Sequence, residues 1–346
     1  MPINSRFARR SLLLTGAAAL TGAAFRPLVS TAGAAAPNPA AALPPLLVGD
    51  QKSARVLLLD SAVPEWDPAA TPSPVLWEFD PVGDSRYADL LPDGTFTYVS
   101  EAKNRTVAGQ RYVLTTASYG FAAVVRYPDK SRYWGGRVTL ATSGRTDDLN
   151  PHSIELLPTG DVAVASSRSG DIRLYGASQS PSAPLAFTAP LAGAHGVHWD
   201  PAGSLLWAVG DTHLVAYTLG GTPGSPQIAV THTFPLPKPV PAAEAGGHDL
   251  NRVDGQPDLL WVSTASGLFQ FSISRREFAP YLPPGCPGAL AKVKAAGNAG
   301  TVLAFTAPDD GARPNWQTRR VRTGTGTAYT LVNGGIYKAR WWEGPH

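Results

Sequence analysis

Three stretches of the chain decide its fold: His152-Ser-Ile-Glu-Leu-Leu-Pro-Thr-Gly-Asp-Val-Ala-Val-Ala-Ser-Ser167, His195-Gly-Val-His-Trp-Asp-Pro-Ala-Gly-Ser-Leu-Leu-Trp-Ala-Val-Gly210 and His248-Asp-Leu-Asn-Arg-Val-Asp-Gly-Gln-Pro-Asp-Leu-Leu-Trp-Val-Ser-Thr264. Each begins with His and a short strand, passes a polar turn, and continues into a second apolar strand. The histidines lie 43 and 53 residues apart. Four-stranded blades of roughly 40–50 residues are typical of a β-propeller.

Weaker units of the same kind fill the rest of the chain. They start near Leu47, Arg86 and Ala289, and Ile336-Tyr-Lys-Ala-Arg-Trp341 is expected to close the ring. Closure removes the unpaired strand edges that an open ring would leave. We therefore predict an all-β protein, a single β-propeller of six blades. Seven blades would result if residues 83–148 contained an extra hairpin.

Composition agrees with this fold class. The 346 residues include 35 Gly and 33 Pro, and only 16% of residues are charged. The chain is too apolar for disorder and too rich in turns for a helical bundle. A single cysteine, Cys286, excludes an intrachain disulfide and a four-cysteine zinc site.

The first 36 residues have the features of an export signal. Arg9 and Arg10 precede a short apolar run and resemble a twin-arginine signal, with small residues at 34–36 for cleavage. Residues 37–45 form a predicted flexible tether, residues 46–342 the propeller, and residues 343–346 a tail. The formal charge of +3 includes four arginines in the leader and no acid, so the mature chain carries −1. No basic patch indicates nucleic acid, no segment indicates a membrane span, and we expect a secreted monomer.

Several motifs resemble a family of secreted bacterial and fungal propellers, domain-of-unknown-function family 6528. The motifs are Gly49-Asp-Gln, Asn150-Pro-His-Ser-Ile-Glu-Leu-Leu-Pro, Ala194-His-Gly-Val-His-Trp-Asp-Pro, Gly247-His-Asp-Leu and Ile336-Tyr-Lys-Ala-Arg-Trp. The likeness covers nearly all of residues 46–342 and implies a propeller but no activity. At the level of fold alone, the chain is also similar to propeller polysaccharide lyases of the oligogalacturonate and ulvan type.

The histidines carry the functional signal. His152, His195 and His248 occupy the same place in three successive units, at the start of the strand expected to line the central channel. Three imidazoles converging there could bind one divalent transition metal, or act as acid and base on an anionic substrate. The alternative is that each histidine braces a turn within its own blade. His198, three residues after His195, is expected to face the opposite side of its strand.

Other polar residues are expected at the same mouth. We predict His152, His195, His248 and Arg340 as catalytic residues, with the three histidines also as metal ligands. Substrate-binding residues are predicted at Gln51, Asp89, Asn150, Asp249 and Lys338. Lys338 and Arg340 share one face of the closing strand, so they supply positive charge if that face looks into the channel.

Two functions remain open. One is a carbohydrate-active enzyme, a lyase that cleaves a uronate-containing glycan by β-elimination. The other is a non-catalytic propeller that binds a glycan or a protein on its end face, with structural histidines. Glu155 and Glu244 are isolated in the sequence, which disfavours the acidic metal site of calcium lactonase propellers.

Export should depend on the arginine pair. Replacing Arg9 and Arg10 with Lys should leave precursor in the cytoplasm, because the twin-arginine pathway reads the pair itself. Cell fractionation with an antibody against the propeller measures this. Normal export of the double variant would indicate the general secretory route.

Overall fold

A computed structural model describes residues 42–139, 149–238, 246–286, 292–308, 314 and 316–342. The predicted signal peptide at 1–36, residues 37–41 of the predicted tether and the predicted tail at 343–346 lie outside the described residues. No helix in the described ranges is long and apolar enough to cross a membrane.

Short strands make up most of the described chain. The first twelve are β1 (Leu46–Asp50), β2 (Arg55–Leu59), β3 (Glu65–Trp66), β4 (Val75–Phe79), β5 (Val99–Val107), β6 (Gln110–Ala117), β7 (Phe121–Arg126), β8 (Arg132–Arg137), β9 (Pro151–Leu156), β10 (Val162–Ser166), β11 (Asp171–Tyr175) and β12 (Leu185–Pro190). They are followed by β13 (Gly196–Asp200), β14 (Leu205–Val209), β15 (His213–Thr222), β16 (Ser225–Pro235), β17 (Gly247–Arg252), β18 (Leu259–Thr264), β19 (Leu268–Ser272), β20 (Glu277–Tyr281), β21 (Lys294–Ala299), β22 (Val302–Thr306), β23 (Arg320–Thr323), β24 (Ala328–Leu331) and β25 (Ile336–Trp341).

These strands form six sheets, which confirms the all-β, six-bladed prediction. Blades 2 to 5 are the consecutive groups β5–β8, β9–β12, β13–β16 and β17–β20. Blade 6 contains β21–β24 and gains β3, which pairs parallel to β24. Strands β5, β9, β13, β17, β21 and β25 contact their counterparts in neighbouring blades, so they are the innermost strands around the axis.

The C-terminal strand closes the ring. β25 pairs antiparallel with β1 in blade 1, whose order is β25-β1-β2-β4. The closing strand predicted at Ile336–Trp341 is therefore confirmed. β1 is therefore the second strand of its blade, because the other end of the chain supplies the inner strand.

A separate hydrophobic core fills each junction between neighbouring blades. At the junction of blades 4 and 5, for example, Trp207 and Val209 pack with Leu250 and Leu260. At the junction of blades 6 and 1, Val321 and Tyr329 pack with Leu46 and Val48. A strand between two such cores buries both faces, which explains why the apolar runs in the sequence alternate so little.

The long second unit contains helix rather than an extra hairpin in its described part. A 3₁₀ helix at Ser85–Leu90 and the short helix α1 (Pro92–Thr95) precede β5. Tyr87, Leu90 and Phe96 from this segment pack into the core between blades 1 and 2. The extra length is therefore used to cover that core.

Candidate functional site at one mouth of the channel

The inner strands begin in a similar way at one mouth of the channel. In five blades a residue with left-handed backbone precedes the strand: Tyr98 (φ 58°), Asn150 (φ 48°), Gly193 (φ 62°), Gly246 (φ 44°) and Lys292 (φ 58°). Two residues further on stand side chains that we call the mouth ring: Ser100, His152, His195, His248, Lys294 and, at the matching place in β25, Tyr337. The repeat thus brings together residues that are far apart in sequence.

β-Bulges turn two of these histidines toward the axis. In β9, Pro151 pairs with Ser166 and Ser153 pairs with Ala165, so His152 is an extra residue between them. In β17, His248 is the extra residue between Gly247 and Asp249. A bulge breaks the strict alternation of side chains. It allows the ring residue and the residue that follows it both to face the channel.

The three imidazoles lie in contact. The ring centroids of His152 and His195 are 4.2 Å apart and nearly parallel, and those of His195 and His248 are 5.1 Å apart at an angle of 88°. Their convergence, expected from the repeat, is present in the structure. Tyr337 lies beside them, with its ring centroid 5.7 Å from that of His152.

Hydrogen-bond partners assign the tautomers of two imidazoles. His195 Nδ1 lies 2.6 Å from the carbonyl oxygen of Gly193. Since a carbonyl only accepts, Nδ1 carries the proton and Nε2 keeps a lone pair. The amide Nδ2 of Asn150 lies 3.0 Å from His152 Nε2 and donates to it. The protonated Nδ1 of His152 is then buried without a hydrogen-bond partner in the described part of the chain.

Burial keeps the three imidazoles neutral. It lowers the pKa of His195 from 6.5 to about 4, assisted by the nearby Lys338 ammonium. Burial, together with His195 and Lys294, lowers the pKa of His248 to about 2. The pKa of His152 is also well below its usual value, chiefly because that side chain is buried. At neutral pH the cluster therefore offers lone pairs and N–H donors rather than charge.

The imidazoles line a cavity of about 340 Å³. Its lining combines aromatic, amide and cationic side chains with the histidines: Gln51, Tyr98, Ser118, Tyr119, Asn150, His152, Arg168, His195, His248, Lys292, Trp316 and Tyr337. No Asp or Glu belongs to this described lining. A few placed polar groups among aromatic side chains are typical of a ligand site.

Beneath the cavity the channel is filled by what we call the axial ion cluster: Glu101, Lys103, Glu155, Asp249, Lys338 and Arg340. Arg340 donates through Nη1 and Nη2 to the two oxygens of Asp249, at 2.9 and 2.8 Å. Lys338 Nζ lies 3.1 Å from Asp249 Oδ1 and 3.5 Å from Glu101 Oε2. Burial would raise the pKa of Glu101, but Arg340, Lys338 and Lys103 outweigh it and hold that pKa below its usual value.

A lower layer of the cluster is organised around Glu155. Lys103 Nζ lies 3.4 Å from Glu155 Oε2, and Arg105 donates to both oxygens of that carboxylate at 2.8 Å. Glu155, which is isolated in the sequence, is paired here with cations from blade 2. His198, expected on the opposite face, also belongs to this layer: its Nδ1 is 3.9 Å from Glu155 Oε2.

The other predicted site residues lie in three places: the cavity lining, the axial ion cluster and the rim of the propeller. Gln51 and Asn150 line the cavity with the histidines. Asp249, Lys338 and Arg340 lie in the axial ion cluster, where each is buried and paired, and none of the three belongs to the cavity lining. The face of β25 that carries Lys338 and Arg340 therefore looks into the channel.

The position predicted for Asp89 is wrong. It lies in the 3₁₀ helix against the outermost strand of blade 2, and its carboxylate pairs with Arg132 at 2.6 Å. The innermost strand of that blade is β5, which begins ten residues later. Asp89 therefore lies at the rim of the propeller and not at the mouth of the channel.

Sequence reasoning missed a second set of residues. Glu101 and Lys103 alternate on β5 as Lys338 and Arg340 do on β25, which is a signal the sequence contained. Tyr98, Arg168 and Trp316 stand in turns without a motif, so nothing local marks them. The three come together only because blades 2, 3 and 6 meet at the axis.

The family model for DUF6528, a family of unknown function, matches residues 68–343. A protein of unknown function from Bacteroides caccae aligns with a TM-score of 0.52 and 10% identity, over 86% of this chain and 98% of that one. A chain of the nidogen/laminin complex aligns with a TM-score of 0.52 and 12% identity, over 86% of this chain and 97% of that one. A catalytically inactive variant of virginiamycin B lyase from Staphylococcus aureus aligns with a TM-score of 0.47 and 13% identity, over 82% of this chain and 81% of that one. No curated protein sequence matches. At 10% and 12% identity, the likenesses to the first two structures show only the fold.

The neutral histidines should make stability fall between pH 6.5 and 4.5. Their pKa is lower in the folded than in the unfolded state, so the unfolded state binds more protons in this window. Stability is complete above the unfolded pKa of 6.5 and is lost as pH falls toward the folded values, about 4 for His195 and about 3 for His198. Urea unfolding at a series of pH values measures the slope.

A single substitution should reduce that slope. Four buried or half-buried histidines have lowered pKa values, so His195→Gln should remove about a quarter of the slope. His213→Gln replaces a histidine outside the site and is the matched control for the substitution itself. An unchanged slope in His195→Gln would contradict the burial of a neutral imidazole there. Below pH 4.5, stability is lost further through carboxylates such as Glu155, whose pKa is lowered to about 2.

Proposed function

Since the chain belongs to the DUF6528 family, whose function is unknown, we propose its activity from the site alone. We propose that the mouth cavity binds a uronate-containing saccharide and that the exported protein cleaves it by β-elimination. The observation that carries this proposal is a cavity with neutral imidazoles and cationic side chains but no carboxylate in its described lining.

The charges favour an anionic ligand. Arg168 and Lys292 enter the cavity from blades 3 and 6, which stand opposite each other in a ring of six. The axial ion cluster and its neighbour Arg105 contain four cations and three carboxylates, which leaves a net positive charge beneath the floor. Positive charge in a site with low-dielectric walls attracts a carboxylate.

The imidazoles suit the proton transfer. In β-elimination a base takes the proton next to the carboxylate, at C5 of the uronate. The electrons form the C4=C5 double bond, the C4–O bond breaks, and the leaving oxygen is protonated. His195 Nε2 has the lone pair for the first step. Tyr337, whose pKa burial raises, keeps a proton that it can donate in the last step.

This assignment changes the role predicted for Arg340. Its guanidinium is occupied by Asp249 and Glu101 below the floor. Lys292 and Arg168 are placed better to neutralise the substrate carboxylate, because both line the cavity. Arg340 would act on the site through the field of the cluster.

A divalent metal at the three histidines stays a prediction. In the described ranges, no group of three His, Cys, Asp or Glu is arranged to hold a metal ion. Lys338 and Lys294 also lower the imidazole pKa values by repulsion, and the same repulsion would act on a metal cation. Elemental analysis of untagged protein tests whether a metal is bound.

One observation favours the second function, binding without catalysis. Imidazoles with pKa values of about 4 and about 2 are weak bases at neutral pH. The cavity would then hold an anionic saccharide whose carboxylate contacts Lys292 and Arg168, and the histidines would serve as hydrogen-bonding groups. The two functions share a ligand and differ in turnover.

Turnover and binding can be measured on the same samples. Untagged protein is mixed with oligomers of galacturonate, glucuronate and mannuronate, and with neutral oligomers as controls. Cleavage creates a double bond conjugated to the carboxylate, which absorbs in the ultraviolet, and calorimetry reports binding.

We expect turnover of at least one acidic oligomer, a loss of about 100-fold or more in kcat for His195→Asn, and wild-type activity for His213→Asn. Binding without turnover would establish the second function. No binding of any acidic oligomer would overturn the proposal.

Lys292→Gly should stabilise the protein and weaken the binding of an acidic oligomer. Lys292 has a left-handed backbone that Gly193 and Gly246 adopt in other blades, and a side chain costs about 1 kcal/mol there. Lys292→Ala is the matched control, since it removes the charge and keeps the strain. Both variants should bind several-fold more weakly, and only the glycine variant should unfold at higher urea. Unchanged binding in both variants would show that Lys292 does not contact the ligand.

A further inference from the structure

One side of the cavity is an aromatic wall built by Tyr98, Tyr119 and Trp316. The ring centroid of Tyr98 lies 5.5 Å from that of Tyr119 and 6.3 Å from that of Trp316, both in edge-to-face geometry. Trp316 is 38% exposed, although most other tryptophans in the described chain are buried. The wall comes from blades 2 and 6, whereas the three imidazoles come from blades 3, 4 and 5.

Gln51 holds the exposed indole in place. Its Oε1 accepts from Trp316 Nε1 at 3.2 Å and from Gln317 Nε2 at 2.7 Å. Its Nε2 donates to the carbonyl oxygen of Val99 at 3.1 Å. Both ends of the amide are thus occupied by protein groups. Gln51, predicted to bind substrate, is placed instead to fix the orientation of Trp316 and to tie it to the strand that follows Tyr98.

Tyr98 provides an independent observation. Its φ of 58° lies in the left-handed region, which is uncommon for a bulky residue and costs free energy. Gly193 and Gly246 hold the equivalent positions in blades 4 and 5, so the fold itself does not require a side chain there. A strained aromatic residue whose ring lines the cavity indicates that the ring is needed in the cavity.

We infer that the aromatic wall is a stacking subsite for a pyranose ring, which stacks on the Trp316 indole and lies against Tyr98, and that Gln51 is the positioning residue of this subsite. A pyranose has an apolar C–H face and polar groups at its edge, so it suits an amphipathic aromatic surface. Stacked on the wall, the sugar directs its edge toward Lys292 and the imidazoles. The inference rests on the proposed function for the acidic group and adds that the ligand is a saccharide rather than any small anion.

Calorimetry with an acidic disaccharide tests the stacking. Trp316→Leu should weaken binding about three- to tenfold, the usual worth of an aromatic contact. Trp316→Phe should lose less, because a ring remains. Trp199→Leu is the matched control, a partly exposed tryptophan outside the cavity, and should bind as the wild type does. Wild-type affinity in Trp316→Leu would overturn the subsite.

Indole N–H resonances test the role of Gln51 without any ligand. In ¹⁵N-labelled protein the Trp316 cross-peak is assigned by its loss in Trp316→Phe. Gln51→Leu should shift this peak and leave the Trp207 peak in place. Gln51→Leu should also weaken binding by most of the factor lost in Trp316→Leu. The double variant should bind no more weakly than Trp316→Leu alone. An unmoved Trp316 peak would overturn the positioning role.

The outcome also separates this inference from the proposed function. The wild type should be titrated with a neutral disaccharide as well as an acidic one. If only the neutral sugar binds and Trp316→Leu weakens it, the acidic substrate class fails and the stacking subsite stands. If the acidic sugar binds equally to wild type and Trp316→Leu, the subsite fails and the proposed function stands. If no saccharide binds, both fail.

Discussion

The axial ion cluster is the interaction on which the rest of the structure depends. The ammonium of Lys338, from blade 1, lies within 3.5 Å of Glu101 and Asp249 and donates to the carbonyl oxygens of His152 and His195. Arg340 reaches the carbonyl oxygen of Ala295 in blade 6. All six blades therefore contribute a group to one buried network, and the closing strand provides its central cations.

Such a network is demanding energetically. Burying charges costs free energy, and removing one partner of a buried pair typically costs about 3–5 kcal/mol because the other is left uncompensated. The cluster is satisfied only when β25 has returned to blade 1 and the ring is closed. The hydrophobic junctions supply most of the burial, whereas the charges link correct closure to the alignment of all inner strands.

The cluster also shapes the site above it. It fills the channel, so the mouth cavity has a floor, and the field of its Lys338 ammonium repels protons from the imidazoles. Burial and this field together keep His152, His195 and His248 neutral. A site with neutral donors and acceptors, flanked by Lys292 and Arg168, follows from the way the propeller is held together.

The sequence by itself determined the class of fold, the number of blades, the closing strand and the shared position of the three histidines, because each follows from a local repeat. It also placed Lys338 and Arg340 on one face by alternation. Tertiary structure decided the rest. The bulges at His152 and His248 bring adjacent residues to the axis, which alternation cannot foresee. Asp89 was misplaced because the inner strand of its blade begins after a helical segment. Tyr98, Arg168, Lys292 and Trp316 become neighbours only when blades distant in sequence meet around one axis.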